Sequence, residues 1–162
     1  MSKERVLKED DYIVSKTDLT GKIIYGNEIF VDFSGYTQDE LIGKPHNIIR
    51  HPDMPRIVFK LLWERLKNKE EIFAYVKNLS KNGDYYWVFA NVTPTIRNGV
   101  IIDYHSVRRK PNPEAIKVVS ELYKTLVDKE KIGGMNASGE ALNNLLKEKG
   151  VSYDELISSL QG

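Results

Sequence analysis

The chain has 162 residues, with 24 basic and 23 acidic side chains, three histidines and no cysteine. This length suits one compact domain, a hydrophobic share of 41% can form a core, and a net charge of +1 argues against nucleic acid or an anionic membrane as the main partner. The absence of cysteine excludes a disulfide framework, a thiolate zinc site, a cysteine nucleophile and a cysteinyl–flavin photoadduct.

The N-terminus is charged, and no apolar run approaches the roughly 18 residues that a membrane span requires. We therefore expect a cytoplasmic protein without membrane insertion. The pattern changes near Pro111, from strand-like runs with turn signals to helical periods only. We predict an N-terminal cap at 1–11, a main domain at 12–110 and a helical C-terminal extension at 111–162.

Short strands and short helices alternate along the main domain. In chain order the predictions are strands at 12–18 and 22–25, a helix at 27–33 closed by Gly35, a brief helix begun by the capping box Thr37–Glu40, an irregular loop at 44–55, a helix from Asp53 and Pro55 to about Lys67, strands at 72–78, 85–96 and 100–109, and helices at 114–129, 138–149 and 152–160. Asn-Gly turns after Lys81 and Arg97 indicate an antiparallel meander. The order predicts an α+β fold, in which a five-stranded antiparallel sheet has helices across one face and encloses a small-molecule pocket.

Several side chains in the loop and nearby allow two interpretations each. Arg50 offers a planar, bidentate contact for a phosphate, or it pairs with Asp53 at the helix start. His51 either bonds to a cofactor or holds the loop, and we expect Asp53 to be the N-cap of the helix in either case. Trp63 and Trp87 wall a ring pocket or belong to an ordinary aromatic core.

Two asparagines lie on strands that are otherwise rich in aromatic residues. Strand alternation places Asn91 on the same face as Trp87, and Asn78 lies on the preceding strand. A buried amide needs a hydrogen-bond partner, which either a ligand edge or a neighbouring backbone supplies. The histidines allow a rival cofactor, since His46, His51 or His105 could be the axial ligand of a haem b.

The run from Gly43 to Pro55, GKPHNIIRHPDMP, resembles the PAS domain of bacterial aerotaxis and energy-taxis receptors, which carry GxPHNxxRHPDMP at this place. The likeness continues in VKN at 76–78, KNGDYYWV at 81–88, ANVTP at 90–94 and SVR at 106–108, and it covers about 12–123. The size of the chain also resembles the separate PAS subunits of bipartite energy-taxis systems.

The resemblance implies a PAS fold over 12–110 and an FAD that is held non-covalently and whose redox state is reported to a chemoreceptor. The family's flavin-pocket residues fall on matching positions, which are Asn27, Arg50, His51, Asp53, Trp63 and Asn78. Ile72 and Phe89 stand where the family has a tryptophan and, often, an arginine. Without a cysteine, a flavin signal has to run through electron or proton transfer, which we expect Asn78 or Asn91 to sense and the meander to transmit.

Two classes of function remain open on the sequence. One is a redox or gas sensor loaded with FAD or haem, and the other is a PAS module that only binds proteins. No nucleotide-loop, metalloprotease, hydrolase or kinase motif is present, so we expect no enzymatic activity. The expected partners are a chemoreceptor or another signalling protein, or a second copy of the chain through the amphipathic helix after Pro113.

Overall fold

The strands and helices follow the predicted order. A computed structural model describes residues 2–162, so that Met1 of the predicted N-terminal cap lies outside the described residues. In chain order the elements are β1 (Ile13–Thr17), β2 (Ile23–Gly26), α1 (Glu28–Ser34), α2 (Gln38–Leu41), a 3₁₀ turn (His46–Ile49), α3 (Arg56–Lys67), β3 (Ile72–Leu79), β4 (Tyr85–Arg97), β5 (Val100–Arg109), α4 (Pro113–Lys149) and α5 (Tyr153–Gln161). The predicted fold class, with its C-terminal helical extension, is confirmed.

The five strands form one antiparallel sheet in the order β2-β1-β5-β4-β3. β4 and β5 are joined by Asn98 and Gly99, whose φ angles of 52° and 77° are both positive, as a tight hairpin turn requires. β1 pairs with both β2 and β5, so the first and last strands in chain order are neighbours in the sheet. The two edge strands are β2 and β3. The connection from β2 to β3 therefore has to cross the sheet, and it carries α1, α2 and α3 with it.

Both faces of the sheet are covered, by different parts of the chain. On the inner face, Tyr86, Val88 and Ala90 of β4 are buried in a cluster with Phe30 of α1. The alternate residues of β4 point to the outer face, where Trp87 and its neighbours pack against α4 and α5. Because successive side chains of a strand point to opposite faces, β4 contributes residues to two separate hydrophobic cores.

The C-terminal helices are tied to the outer face of β3. The Tyr123 hydroxyl donates to the Tyr75 carbonyl at 2.6 Å, and the Tyr153 hydroxyl donates to the Phe73 carbonyl at 2.8 Å. The break predicted at Gly133 and Gly134 is confirmed as a kink, because Gly134 (φ 67°, ψ −161°) leaves the helical conformation and divides α4 into two helical halves. Glycine adopts such a positive φ at little cost.

Helix starts follow the local sequence except at α3. The Thr37 and Ser152 capping boxes form as predicted. Asp53 was expected to cap α3, but that prediction is wrong: Pro55 occupies the N-cap position and contributes no side-chain hydrogen bond. The Asp53 carboxylate instead accepts from Lys77 Nζ at 2.8 Å. The first turn of α3 therefore depends on a partner from elsewhere in the chain.

None of the helices within residues 2–162 has the length and apolar character needed to cross a membrane. The division into a cap, a main domain and an extension stays a prediction. In the structure, residues of the predicted cap pack on the main domain, since Leu7 is buried with the inner-face cluster and Arg5 contacts Asp32 of α1.

Candidate functional site

A cavity of about 340 Å³ lies between the inner face of the sheet, the 3₁₀ turn and α3. Its walls come from four strands, the loop and one helix of the main domain. They include Ser15 and Thr17 of β1, Pro45, His46, Asn47, Ile49 and Arg50 of the loop, Phe59, Leu62, Trp63 and Leu66 of α3, Val76 and Asn78 of β3, Ala90 and Val92 of β4, and Tyr104, His105, Ser106 and Arg108 of β5. The volume is within the range of about 300–1,000 Å³ that is typical of small-molecule sites.

The loop that carries the predicted motif is fixed to the sheet at both ends. Pro45 forms an isolated bridge with Lys22 beside β2, and Arg50 forms another with Asn78 of β3. Between them the chain makes the 3₁₀ turn, in which Ile49 is buried. This path places His46 and Arg50 at the cavity, on a rigid connection between the two edge strands.

Arg108 is the most unusual group in the cavity wall. Its side chain is 2% exposed, yet no carboxylate within residues 2–162 lies within ion-pair distance of it. Nη2 donates to Ser15 Oγ at 2.6 Å, the guanidinium lies 4.7 Å from the centroid of Phe30, and Nε has no hydrogen-bond partner among the described residues. Burial lowers the pKa of Arg108 to about 10, so the group is still a cation at neutral pH.

His46 is held as a neutral hydrogen-bond acceptor. Its Nε2 lies 3.2 Å from Arg108 Nη1 and 3.0 Å from Ser15 Oγ. A guanidinium only donates, so Nε2 accepts from it and the ring proton belongs on Nδ1. Burial, together with the nearby charges of Arg108 and Arg50, lowers the pKa of His46 from 6.5 to about 3. His46 is therefore uncharged in any ordinary buffer.

Asn78 presents an unused hydrogen-bonding group to the cavity. Its side chain is 3% exposed, and its amide nitrogen has no hydrogen-bond partner among the described residues. A buried polar group without a partner costs about 1–3 kcal/mol. Together with the unpartnered Nε of Arg108 in the same wall, this amide indicates a place for a ligand.

The other predicted residues at the cavity are Arg50, Trp63 and His105. Arg50 is exposed at the rim, and its guanidinium lies 3.7 Å from the centroid of the Phe59 ring instead of pairing with Asp53. Trp63 makes an edge contact with Tyr104, with ring centroids 5.3 Å apart. The rim thus combines a free cation with aromatic surface.

Two residues of the predicted loop lie beside the cavity and outside its lining. His51 Nδ1 accepts from the Asp53 amide at 3.0 Å, and burial lowers the pKa of that imidazole. Asp53 is held by Lys77, whose hydrogen bond lowers the pKa of the carboxyl. These contacts fix the loop on the outer side of the cavity wall.

Asn27, Trp87 and Asn91 are also outside the cavity lining. The Asn27 side chain caps α1 by accepting from Phe30 N at 3.1 Å, and it donates to the Tyr12 carbonyl. Trp87 and Asn91 were expected to wall the pocket, but strand alternation places them on the outer face, where Asn91 Nδ2 donates to Glu71 Oε1 at 2.9 Å. Phe89, one of the two departures from the family pattern, shares that face and contacts Phe73.

The residues that the sequence did not single out are Ser15, Phe59, Tyr104 and Arg108. In the sequence, Arg108 stood only within the family likeness at 106–108, and its buried side-chain environment is what distinguishes it from the exposed Arg109. The usable signal was the alternation of β5, which places Tyr104, Ser106 and Arg108 on one face. The haem candidates are separated by position as well. Arg108 and Ser15 occupy His46 Nε2, and His51 lies outside the lining. His105 is part of the lining, but the alternation of β5 places its side chain on the face opposite Tyr104 and Arg108.

The family model for the PAS fold matches residues 23–108, which include the loop, α3 and most of the cavity wall. The chain belongs to the PAS family. It is 48% identical over 120 residues to the aerotaxis receptor of Escherichia coli K12, which covers 74% of this chain and 24% of that receptor. The chain thus spans about a quarter of the length of this relative.

Solved PAS structures share the fold at low sequence identity. The PAS domain of a protein from Colwellia psychrerythraea is 22% identical with a TM-score of 0.56, over 61% of this chain and 85% of that one. The dark structure of the blue-light photoreceptor Aureochrome1 LOV is 21% identical with a TM-score of 0.59, over 72% and 96%. These likenesses extend to the arrangement of the sheet and helices, and the predicted PAS fold is confirmed.

We expect the neutral His46 to make the stability of the protein depend on pH. The pKa of the His46 imidazole is about 6.5 in the unfolded chain and about 3 in the folded chain. Between these values only the unfolded state takes up the proton, so acidification lowers the free energy of unfolding. His46→Gln should make the dependence shallower by up to about 1.4 kcal/mol per pH unit, as measured by urea unfolding between pH 7 and 4. An NMR titration that shows a protonated His46 ring at pH 5 in the folded protein would contradict this.

Proposed function

We propose that this chain is a PAS sensor that holds FAD in the cavity and relays redox, oxygen or energy status to a chemotaxis receptor. The observation that carries the proposal is the combination of an unpartnered amide at Asn78 with an uncompensated cation at Arg108 in one cavity wall. Both groups cost free energy in the absence of a ligand. A polar ring edge that both accepts hydrogen bonds and carries partial negative charge would satisfy them.

The walls of the cavity suit the other parts of a flavin nucleotide. Trp63, Leu62 and Val76 supply an apolar surface for a fused ring system. Arg50 lies at the rim with a free guanidinium, which is the group that best recognises phosphate. The residues present therefore fit a flavin, with Asn78 and Arg108 toward its polar edge and Arg50 toward its phosphates.

A bound flavin supplies reversible electron and proton transfer at its ring. The chain's contribution is to sense the charge and protonation that result. The Asn78 amide both donates and accepts, so its preferred orientation depends on the group that faces it. A ligand shifts the protein only through its different interaction with two protein states, and β3 is the strand that carries this amide. We therefore assign the sensing role to Asn78. In this proposal the chain detects the state of its ligand and does not catalyse a reaction.

The receptor partner is proposed from the likeness to the aerotaxis receptor. The likeness to that receptor extends over 120 residues of this chain. The C-terminal helices are hydrogen-bonded to the outer face of β3, so they are the elements through which a change in β3 would reach a partner. A second copy of this chain is the other partner we consider.

The visible spectrum of freshly purified protein tests the cofactor. We expect absorption bands near those of free flavin, and extraction that releases FAD. A Soret band would instead assign the cavity to haem. A colourless protein that takes up neither added FAD nor added haem would leave only the protein-interaction function.

Asn78 and Asn91 provide a matched pair of variants. Asn78→Leu should abolish FAD binding or weaken it at least about tenfold, because it removes a buried polar contact worth about 1–3 kcal/mol. Asn91→Leu alters the same residue type on the outer face and should bind FAD as the native chain does. Asn78→Asp should change the reduction potential or prevent binding. Isothermal titration with FAD measures the affinities, and equal loss in the variants at 78 and 91 would contradict the assignment.

Arg108 and Arg109 provide a second pair of variants. For Arg108, stability and FAD binding should respond in opposite directions, whereas Arg109 is the control. A buried cation without a carboxylate partner carries a desolvation cost that an apolar residue of similar length does not have. We therefore expect Arg108→Met to leave the stability of the FAD-free protein unchanged or higher and to weaken FAD binding about tenfold or more. Arg109→Met, whose side chain lies 5.0 Å from the centroid of Phe89 on the outer face, should not affect binding. A native affinity for FAD in Arg108→Met would show that the cation has no role toward the ligand.

A further inference from the structure

The first turn of α3 is capped by a residue more than seventy positions away in the sequence. Glu130 Oε1 accepts from Arg56 N at 2.8 Å, and Glu130 Oε2 accepts from Ile57 N at 3.0 Å. The same carboxylate lies 3.7 Å from Arg56 Nε and has a side chain that is only 7% exposed. A helix leaves its first amides unpaired unless a cap is provided, and the positive end of the helix dipole favours a carboxylate there.

The geometry of α4 around Glu130 is built for this contact. Ser138 is fully buried, and its hydroxyl donates to Glu130 Oε2 at 2.8 Å. The kink at Gly134 lies between these two residues and turns the second half of α4 back toward α3. Gly139 lies against α3, since a Cβ at that position would be 3.2 Å from Ile57 Cδ1. Glycines at both positions therefore permit the approach of the two helices.

Beyond this contact, α3 and the second half of α4 are only partly packed together. Ile57 and Leu142 belong to one apolar cluster. A groove of about 610 Å³ nevertheless runs between the two helices, and its lining combines polar side chains such as Lys60 and Asn143 with Leu61 and Leu146. The attachment of α3 to the second half of α4 therefore depends strongly on the buried Glu130 carboxylate and on Ile57, while an ion pair between Arg65 and Asp154, whose closest atoms are 3.1 Å apart, joins α3 to α5.

α3 is also the helix that lines the cavity, with Phe59, Trp63 and two leucines. One side of this helix thus faces the ligand space, and its N-terminus is held by the C-terminal segment. We propose that residues 130–162 form a releasable clamp on the cavity helix, with Glu130 as the positioning residue, and that occupancy of the cavity sets how firmly the clamp is held. The proposal deepens the sensor function above and rests on it for the ligand.

The physical basis is that the clamp and the ligand act on the same rigid helix. A ligand that moves or orders α3 changes the positions of the Arg56 and Ile57 amides relative to Glu130. Weakening this contact also frees the second half of α4, which packs with α5 on the outer face of β3. Occupancy is thereby linked to a surface that a partner can read, as reciprocal coupling between two sites requires.

Hydrogen–deuterium exchange on the full chain tests the clamp without any ligand. Glu130→Gln should speed exchange about fivefold, the effect of losing a helix cap, both at residues 56–58 and across residues 135–162. Ser138→Ala should act in the same direction with a smaller effect, and it replaces the first variant if Glu130→Gln does not fold. Glu121→Gln, an exposed position on the same helix, is the matched control and should match the native chain. Exchange that is unchanged, or faster at residues 56–58 alone, would overturn the proposal.

Added FAD provides the second arm of the experiment. In the native chain, FAD should change exchange across residues 135–162, and Glu130→Gln should remove that response while still binding FAD. An equal response in both proteins would show that the coupling does not run through Glu130. Failure of the native chain to bind FAD would count against the proposed cofactor alone, because the ligand-free arm would still decide whether Glu130 joins the two helices.

Discussion

The two-residue period of β3 and β4 is the constraint on which the rest of the structure depends. These strands separate the cavity from the C-terminal helices, so each successive side chain belongs to the opposite compartment. Asn78 faces the cavity, whereas the Tyr75 carbonyl accepts from Tyr123 and the Tyr75 ring lies on the outer face. A displacement of β3 cannot be confined to one side, because the backbone that positions the cavity amide also carries the acceptors for the outer helices.

The electrostatics of the cavity follow from one uncompensated charge. Arg108 is buried without a carboxylate partner among the described residues, and it directs a hydrogen bond toward His46. A protonated His46 beside this guanidinium would place two positive charges about 3 Å apart in a poorly solvated wall, which explains why the pKa of the imidazole falls to about 3. The cavity therefore keeps a single internal cation, with a second at the rim in Arg50. Such a wall favours a ligand with an electron-rich edge over a neutral apolar one.

Local signals in the sequence were sufficient for the strands, the hairpin turns and most helix caps. The Asn98-Gly99 turn and the capping boxes depend on residues within four positions of each other, so a short stretch of sequence is enough to predict their geometry. The face of a residue on β4 could not be predicted in the same way. Residues 86–90 are buried on both faces because the sheet lies between two layers of helix, and an apolar strand without contrast does not indicate which face holds the cavity. Trp87 and Asn91 were placed on the cavity side for that reason.

Long-range contacts explain the remaining errors, and Asp53 shows how. An aspartate just before a proline-initiated helix is a good local cap, yet Lys77 takes its carboxylate and Glu130 takes the helix amides. The contact between Asp53 and Lys77 also explains what this part of the family motif does. The Asp53 amide donates to His51, and the Lys77 ammonium lies 4.5 Å from the centroid of Tyr85, so this part of the motif is fastened to the sheet beside Arg50. Arg50 therefore faces the cavity, whereas His51 and Asp53, which follow it in the motif, hold the loop in place. The contact of Asp53 is with Lys77 of β3, so it exists only in the folded sheet.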